Sequence, residues 1–235
     1  QFMRSPQEIQ IAKPNSVAST VTHRVHPVNM EAKRDLLLHL LSVDGSQTLV
    51  FCRTKHGSDK LTKQLEKSGL RAAAIHGNKS QNQRTRALAD FKNGRVNVLV
   101  ATDIAARGLD IDQLPMVINF DLPMVAEDYV HRIGRTGRAG AEGLAISLVC
   151  RAEEGLLRDI RKLLNQEIAI ENVAGFEPSQ PLRLDGPGGG AKPQSGRQQH
   201  ARRPHAQQPR GNGDHAAANK KRRQWRGKPM ASRPS

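Results

Sequence analysis

The chain has 235 residues, with 37 Lys and Arg against 22 Asp and Glu, a formal net charge of +15 with nine His counted neutral. Twelve of those basic residues and only one acid, Asp214, lie between Gly186 and Ser235, so the last 50 residues carry +11 and the first 185 only +4. No apolar run approaches the roughly 20 residues of a membrane span, no signal pattern opens the chain, and Cys52 and Cys150 stand alone without a C-x-x-C pair, so a soluble protein in a reducing cytoplasm, with neither a zinc site nor a disulfide framework, is expected.

Residues 1–20, with Pro6, Pro14 and no apolar periodicity, read as a linker, and a start at Gln1 suggests a fragment of a longer protein. From Val21 onwards short apolar runs alternate with helical stretches. The first helix is expected over Met30 to Leu41, followed by a strand at Gln47 to Cys52 (QTLVFC). A second helix from Ser58 to Ser68 closes at Gly69, and RAAAI, Arg71 to Ile75, is the next strand. The helix Ser80 to Asn93 opens with Ser80 and Gln83 in capping-box spacing, closes at Gly94 and offers Ala87, Leu88 and Phe91 to a core. Strands follow at Val96 to Ala101, Met116 to Phe120 and Leu144 to Val149, and a last helix at Ala152 to Leu164 places Leu156, Leu157, Ile160, Leu163 and Leu164 on one stripe.

Runs that are apolar at consecutive positions suit strands covered on both faces. Alternating strand and helix with right-handed crossovers gives an α/β fold, a doubly wound and mostly parallel sheet flanked by helices. In such sheets ligands sit at the carboxyl ends of the strands, so function is sought in the loops that follow them. From Gly186 the chain contains no Ile, Leu, Val or Phe and cannot bury enough apolar surface to offset the entropy of ordering it.

Three loops are unusual: ATDIAARGLDI at Ala101 to Ile111, YVHRIGRTGRAG at Tyr129 to Gly140, and IHGNKSQNQR at Ile75 to Arg84. With LVFCRTK at Leu49 to Lys55, they resemble motifs V, VI, IVa and IV of the superfamily 2 helicases, in family order, and their wording resembles the DEAD-box RNA helicases. His131 stands where the related DEAH class has Gln, and the basic tail resembles bacterial, RhlE-type members. The resemblance covers about Val21 to Phe176. It implies a RecA-like second domain at residues 21–177, a linker at 1–20 from a first RecA-like domain, and a disordered basic tail at 178–235. The phosphate loop and the Asp-Glu-Ala-Asp segment that the family carries in its first domain have no counterpart in this sequence.

By the same resemblance Arg135 and Arg138 act as arginine fingers on the γ-phosphate of ATP, whose Mg2+ is held by the first domain. Guanidinium groups fork onto phosphate oxygens, and Gly134, Gly137 and Gly140 around them admit close backbone approach. Asp110, after Gly108 and Leu109, takes the ribose hydroxyls, and His131 orients the loop or couples it to the first domain. Asp103 and Arg107 are expected to pair and shape motif V. RNA is gripped by Gly77, Gln81 and Arg84, where a helix start also presents free amides and a positive dipole end, and by Thr102. Thr54 and Gly57 touch the same strand, unless Ser58 capping a helix accounts for the local sequence. Lys220 to Arg223 with Trp225 and Arg226 offer charge and one stacking ring to RNA.

The implied protein is an ATP-dependent RNA helicase that separates short duplexes and remodels RNA–protein complexes, with single-stranded and short duplex RNA, its own first domain and RNA-processing or ribosome-assembly proteins as partners. A stand-alone RNA-binding module and a DNA helicase of the same superfamily remain as alternatives.

Overall fold

The computed structural model describes residues 20–111, 113–138 and 140–184. The expected linker, apart from Thr20, and the tail from residue 185 lie outside them. The element order is β1 (Val21–Pro27), α1 (Lys33–Asp44), β2 (Thr48–Phe51), α2 (Lys55–Lys67), β3 (Ala72–Ile75), α3 (Gln81–Lys92), β4 (Val98–Ala101), α4 (Asp103–Ala106), β5 (Met116–Asn119), α5 (Ala126–Ile133), β6 (Gly143–Val149), α6 (Glu154–Leu164) and β7 (Ala169–Ile170). The strands form one sheet in the order β3-β4-β2-β5-β6-β1-β7, with every pair parallel.

The continuous apolar runs have a direct structural meaning. Along β2 and β4, Val50, Cys52, Val98 and Val100 pack with Leu36, Leu37 and Leu41 of α1 and Leu61 and Leu65 of α2. The alternate residues Leu49, Phe51, Leu99 and Ala101 pack with Ala87 and Phe91 of α3 and Ala105 and Ala106 of α4. A third cluster joins Val21 and Val25 of β1 and Ala145 and Val149 of β6 to Tyr129 and Ile133 of α5 and Leu157 and Ile160 of α6. Both faces of the sheet are thus covered. Residues 178–184 stay packed on this body: Leu182 and Leu184 lie against the third cluster, and Ser179 donates to Asn29 Oδ1.

Several helix starts differ from expectation. The first begins at Lys33, after a 3-10 turn at Met30–Ala32, and runs on to Asp44, where Gly45 takes a left-handed conformation. The last begins at Glu154, after a second 3-10 turn at Arg151–Glu153. The helix after β2 starts at Lys55 rather than at Ser58, because Thr54 caps it: its hydroxyl accepts the amide of Gly57 at 3.0 Å. Ser58 lies inside the helix, buried, donating to Thr54 O at 3.0 Å. The capping box at Ser80 and Gln83 is formed as expected.

Two strands, β1 and β7, and two helices, α4 and α5, carried no signal strong enough to mark them. In β1, VTHRVHP, His23, Arg24, His26 and Pro27 interrupt the apolar pattern, yet the strand lies between β6 and β7. Its polar groups are satisfied sideways, with His26 Nδ1 2.8 Å from Glu171 O and Arg24 Nη1 3.0 Å from Glu171 Oε2. β7 is only two residues long. Motif VI, expected to follow a strand, begins instead inside α5, and its turn reaches the amino ends of strands. Leu114, just before β5, donates its amide to Arg135 O, and Thr20, just before β1, bonds through its hydroxyl to Gly137 O.

Candidate nucleotide and nucleic-acid interface

Two clusters arise from this framework. The first gathers at the carboxyl ends of β2, β3 and β4, where α2, α3 and α4 all begin. Thr102, the N-cap of α4, links two of these ends through its amide, which reaches Ile75 O at 3.4 Å, while its side chain makes no capping bond. A Cβ added at Gly77 would meet no heavy atom within 4 Å, so the fold itself does not require glycine there and the backbone is open to approach. On the first turn of α3, Arg84 Nη1 donates to Gln81 Oε1 at 3.3 Å, and Arg84 Nε is shielded from solvent with no hydrogen-bond partner. An orphaned guanidinium N–H beside the Gln81 and Asn82 amides, which the capping box leaves over, suits a phosphate oxygen. Thr54 lies on the same edge, but its oxygen already serves the cap. Gly57 has a local cause as well, since a Cβ there would sit 2.9 Å from Thr54 Oγ1.

The second cluster joins motif V to motif VI, and its centre is a residue not singled out from the sequence. Arg132 is 1% exposed and forks onto Asp103, with Nε 2.6 Å from Oδ1 and Nη2 2.8 Å from Oδ2. Its remaining donor group, Nη1, reaches Asn119 Oδ1 at 3.1 Å and Asp121 O at 2.6 Å, and the guanidinium lies 4.9 Å from the Phe51 ring centroid. Bidentate geometry and a planar aromatic contact are what distinguish Arg from Lys at such a position. Arg107 therefore does not pair with Asp103 as expected. Both carboxylate oxygens are taken from below by Arg132, and Arg107 bonds on the outside to Asp128 in the first turn of α5.

The polar chain continues inward. Asn119 Nδ2 donates to Ser147 Oγ at 3.1 Å, and Tyr129, 3.3 Å from His23 Nδ1 through its hydroxyl, is buried deeply enough for its phenol to be pushed up to about 12. Burial lowers His23. Above Arg132, a small pocket is lined by Phe51, Asp103, Ala106, Arg107, Asp128, His131 and Arg135. His131 is exposed on α5. Arg135 Nη1 donates to Leu109 O at 3.2 Å, so motif VI touches motif V a second time. Arg138 is exposed in the same turn, its guanidinium folded near Gly134.

Gly137 has a packing cause of its own. It takes φ +64°, and an added Cβ would fall 2.4 Å from Val21 Cγ2, so glycine is needed for the turn to pass β1. Gly108 is left-handed too, at φ +75°. Asp110 lies outside the pocket of His131 and Arg135. It is exposed and bound to Lys92 Nζ at 2.6 Å, whose hydrogen bond and charge hold the carboxyl below the usual range, beside Gln47, Phe91, Gln113 and Leu114.

A doubly wound parallel sheet with these two clusters defines a RecA-like helicase C-terminal domain, and residues 32–140 match the helicase conserved C-terminal domain. The chain is 40% identical over 195 residues to DEAD-box ATP-dependent RNA helicase 30 of Arabidopsis thaliana, covering 81% of this chain and 33% of that protein. It is 41% identical over 192 residues to the ATP-dependent RNA helicase DbpA of Bacillus subtilis, covering 79% and 40%. Among solved structures, E. coli SrmB bound to regulator of ribonuclease activity A superposes with TM-score 0.66 at 35% identity, covering 69% of this chain and 97% of that one. S. cerevisiae Dbp5 bound to RNA and ADP BeF3 gives 0.64 at 30%, covering 70% and 44%. The chain belongs to the DEAD-box helicase family. It spans roughly a third of the length of the curated relatives it matches.

Proposed function

We propose that this chain supplies the C-terminal half of an ATP-dependent RNA helicase, with residues 21–177 as its second RecA-like domain, residues 1–20 leading from the first and a basic tail from 178. The observation that carries the reading is the Arg132–Asp103 fork. It fastens α5 to motif V, so that His131 and Arg135 share one pocket while the starts of α2, α3 and α4 line a separate edge of the same sheet. RNA phosphates lie along that edge, on Gly77, Gln81, Arg84 and Thr102, with Thr54 and Gly57 alongside. Arg135 and Arg138 face ATP held by the first domain, and Asp110 and Gly108 face its ribose.

ATP supplies the phosphoryl group whose transfer drives the cycle. This chain's residues bind and neutralise: the guanidinium of Arg135 or Arg138 meets charge as it develops on the equatorial oxygens, and Arg132 holds in place the helix α5 from which their turn leads. Mg2+ belongs on this reading to carboxylates of the first domain. Closure over ATP and RNA bends the strand and opens short duplexes, and hydrolysis lets the cleft reopen. Protein partners in RNA processing or ribosome assembly would engage the tail. The setting proposed is the cytoplasm, and no described helix is long and apolar enough to cross a membrane.

The test joins the chain to its first domain and compares it with the chain alone. Alone, it should hydrolyse no ATP above background with or without RNA. Joined, it should show RNA-stimulated hydrolysis, and Arg138→Lys should reduce the rate severely with ATP binding retained, because arginine fingers are worth about 10³ to 10⁵ in GTPases and an ammonium keeps charge without the fork. Robust hydrolysis by the isolated chain, or a near wild-type rate in the joined Arg138→Lys enzyme, would overturn the assignment.

A further inference from the structure

We propose that Asp59 and His76 are positioning residues which set the turn Gly77 to Ser80 for RNA by fixing the tautomer of a buried imidazole. The proposal rests on the RNA reading of that turn. His76 follows β3 directly and is 1% exposed. Its Nδ1 lies 3.3 Å from the backbone nitrogen of Asn78. An amide N–H can only donate, so Nδ1 accepts and the ring proton sits on Nε2. Nε2 faces the carboxylate of Asp59 on α2, 3.0 Å from Oδ2, with its N–H off the line of a hydrogen bond.

Which imidazole nitrogen carries the proton is set by what the other one meets, and here each partner enforces the same answer. The second oxygen of Asp59 holds Lys79 Nζ at 2.9 Å. Burial acts to raise the Asp59 carboxyl, but Lys79 and His76 beside it outweigh burial and hold the group low, so both ties are made to a carboxylate. Lys79 also donates its amide to His76 O at 3.0 Å, and Lys55 Nζ reaches Asn78 Oδ1 at 3.0 Å. Three side-chain ties from α2 and His76 therefore converge on a turn whose own Gly77 is open to approach. Because Asp59 occupies the Lys79 ammonium and the amides of Asn78, Lys79 and Ser80 are already bonded, phosphate is met through the open Gly77 backbone, the first-turn amides of α3 that the cap leaves over, and Arg84. Its geometry then matters more than its charge.

Hydrogen exchange of the whole 235-residue chain, followed by mass spectrometry with and without saturating rU12, separates these roles. In the wild type, rU12 should slow exchange over residues 76–84. Asp59→Ala and His76→Gln should exchange there at least fivefold faster without RNA and lose most of the rU12 protection, while peptides from β4 and β5 stay unchanged. His76→Asn should behave like the wild type, since its amide oxygen can stand where Nδ1 accepts from Asn78, whereas Gln reaches toward Asp59 and leaves Asn78 unpartnered. Should Asp59→Ala fold poorly, Asp59→Asn, which keeps the volume and loses the charge, should show the same local acceleration. Wild-type exchange in Asp59→Ala and His76→Gln, or equal loss in His76→Asn and His76→Gln, would overturn the positioning role. No protection of residues 76–84 by rU12 in the wild type, with exchange still accelerated in the variants, would instead overturn the RNA reading on which the proposal rests.

Discussion

The edge proposed for RNA and the junction of motifs V and VI are built by different means. At the edge, the helix starts are held by neighbours in sequence: Thr54 caps with Gly57, Ser80 with Gln83, and Arg84 leans on Gln81. At the junction, Arg132 reaches back 29 residues to Asp103 and 13 to Asn119 from a position almost sealed from solvent. Local caps are worth about a kilocalorie each and fail singly. A buried charge that satisfies several partners fails all at once, because its removal leaves each of them without compensation.

Arg132→Ala should therefore give the largest loss. It leaves Asp103 and Asn119 facing a void, and the destabilisation expected is about 3 kcal/mol, discounted from the upper range because the Asp103 side chain is 26% exposed. For a domain of this size that corresponds to a melting temperature lower by roughly 10 °C in calorimetry. Arg132→Lys should recover only part of the loss, since one ammonium cannot serve the fork, Asn119 and the Phe51 face together. A shift of under ~2 °C for Arg132→Ala would show that the junction is held by its apolar neighbours alone.

The same contrast explains what could be read beforehand. Short-range signals were legible: continuous apolar runs located β2 to β6, the Ser80 and Gln83 spacing marked the cap of α3, and Gly69 and Gly94 marked helix ends, where both take positive φ. Arg132 was not, although Tyr129, Arg132 and Ile133 share the buried face of α5 and an Arg in an apolar stripe is itself a signal. Its partners lie on β5 and α4, and only the folded sheet brings these together. β1 was missed for a similar reason, since its His and Arg residues find their partner, Glu171, across the sheet. Gly57 and Gly137 look like ligand-facing glycines in sequence, yet the contacts that exclude a Cβ come from Thr54 and from Val21.

Thr54→Ala tests the edge at intermediate scale. Loss of the bond to Gly57 N should cost about 1 kcal/mol, or roughly 2–4 °C, with Thr54→Ser near wild type because the cap oxygen is retained. If Thr54→Ala left the melting temperature unchanged while weakening binding to rU12, the hydroxyl would belong to RNA before the helix.

The smallest effect on stability and the sharpest separation of fold from function should come at Arg84. It lies half-buried on the first turn of α3, ahead of Ala87 and Phe91, which the core takes. Its one side-chain bond, to Gln81, is long at 3.3 Å and exposed, so Arg84→Ala should move stability by no more than about 0.5 kcal/mol. Removing it even relieves the solvent-shielded Nε that has no partner. An N–H kept dry and unpaired costs folding free energy. A phosphate oxygen delivered by bound RNA would repay that cost. Anisotropy with labelled rU12 should accordingly show weaker binding by the joined two-domain enzyme and a shallower salt dependence, by about 0.7 in the log–log slope for one lost phosphate contact on a single strand. A lowered melting temperature with unchanged affinity and slope would make Arg84 a packing residue and move the RNA path off the start of α3.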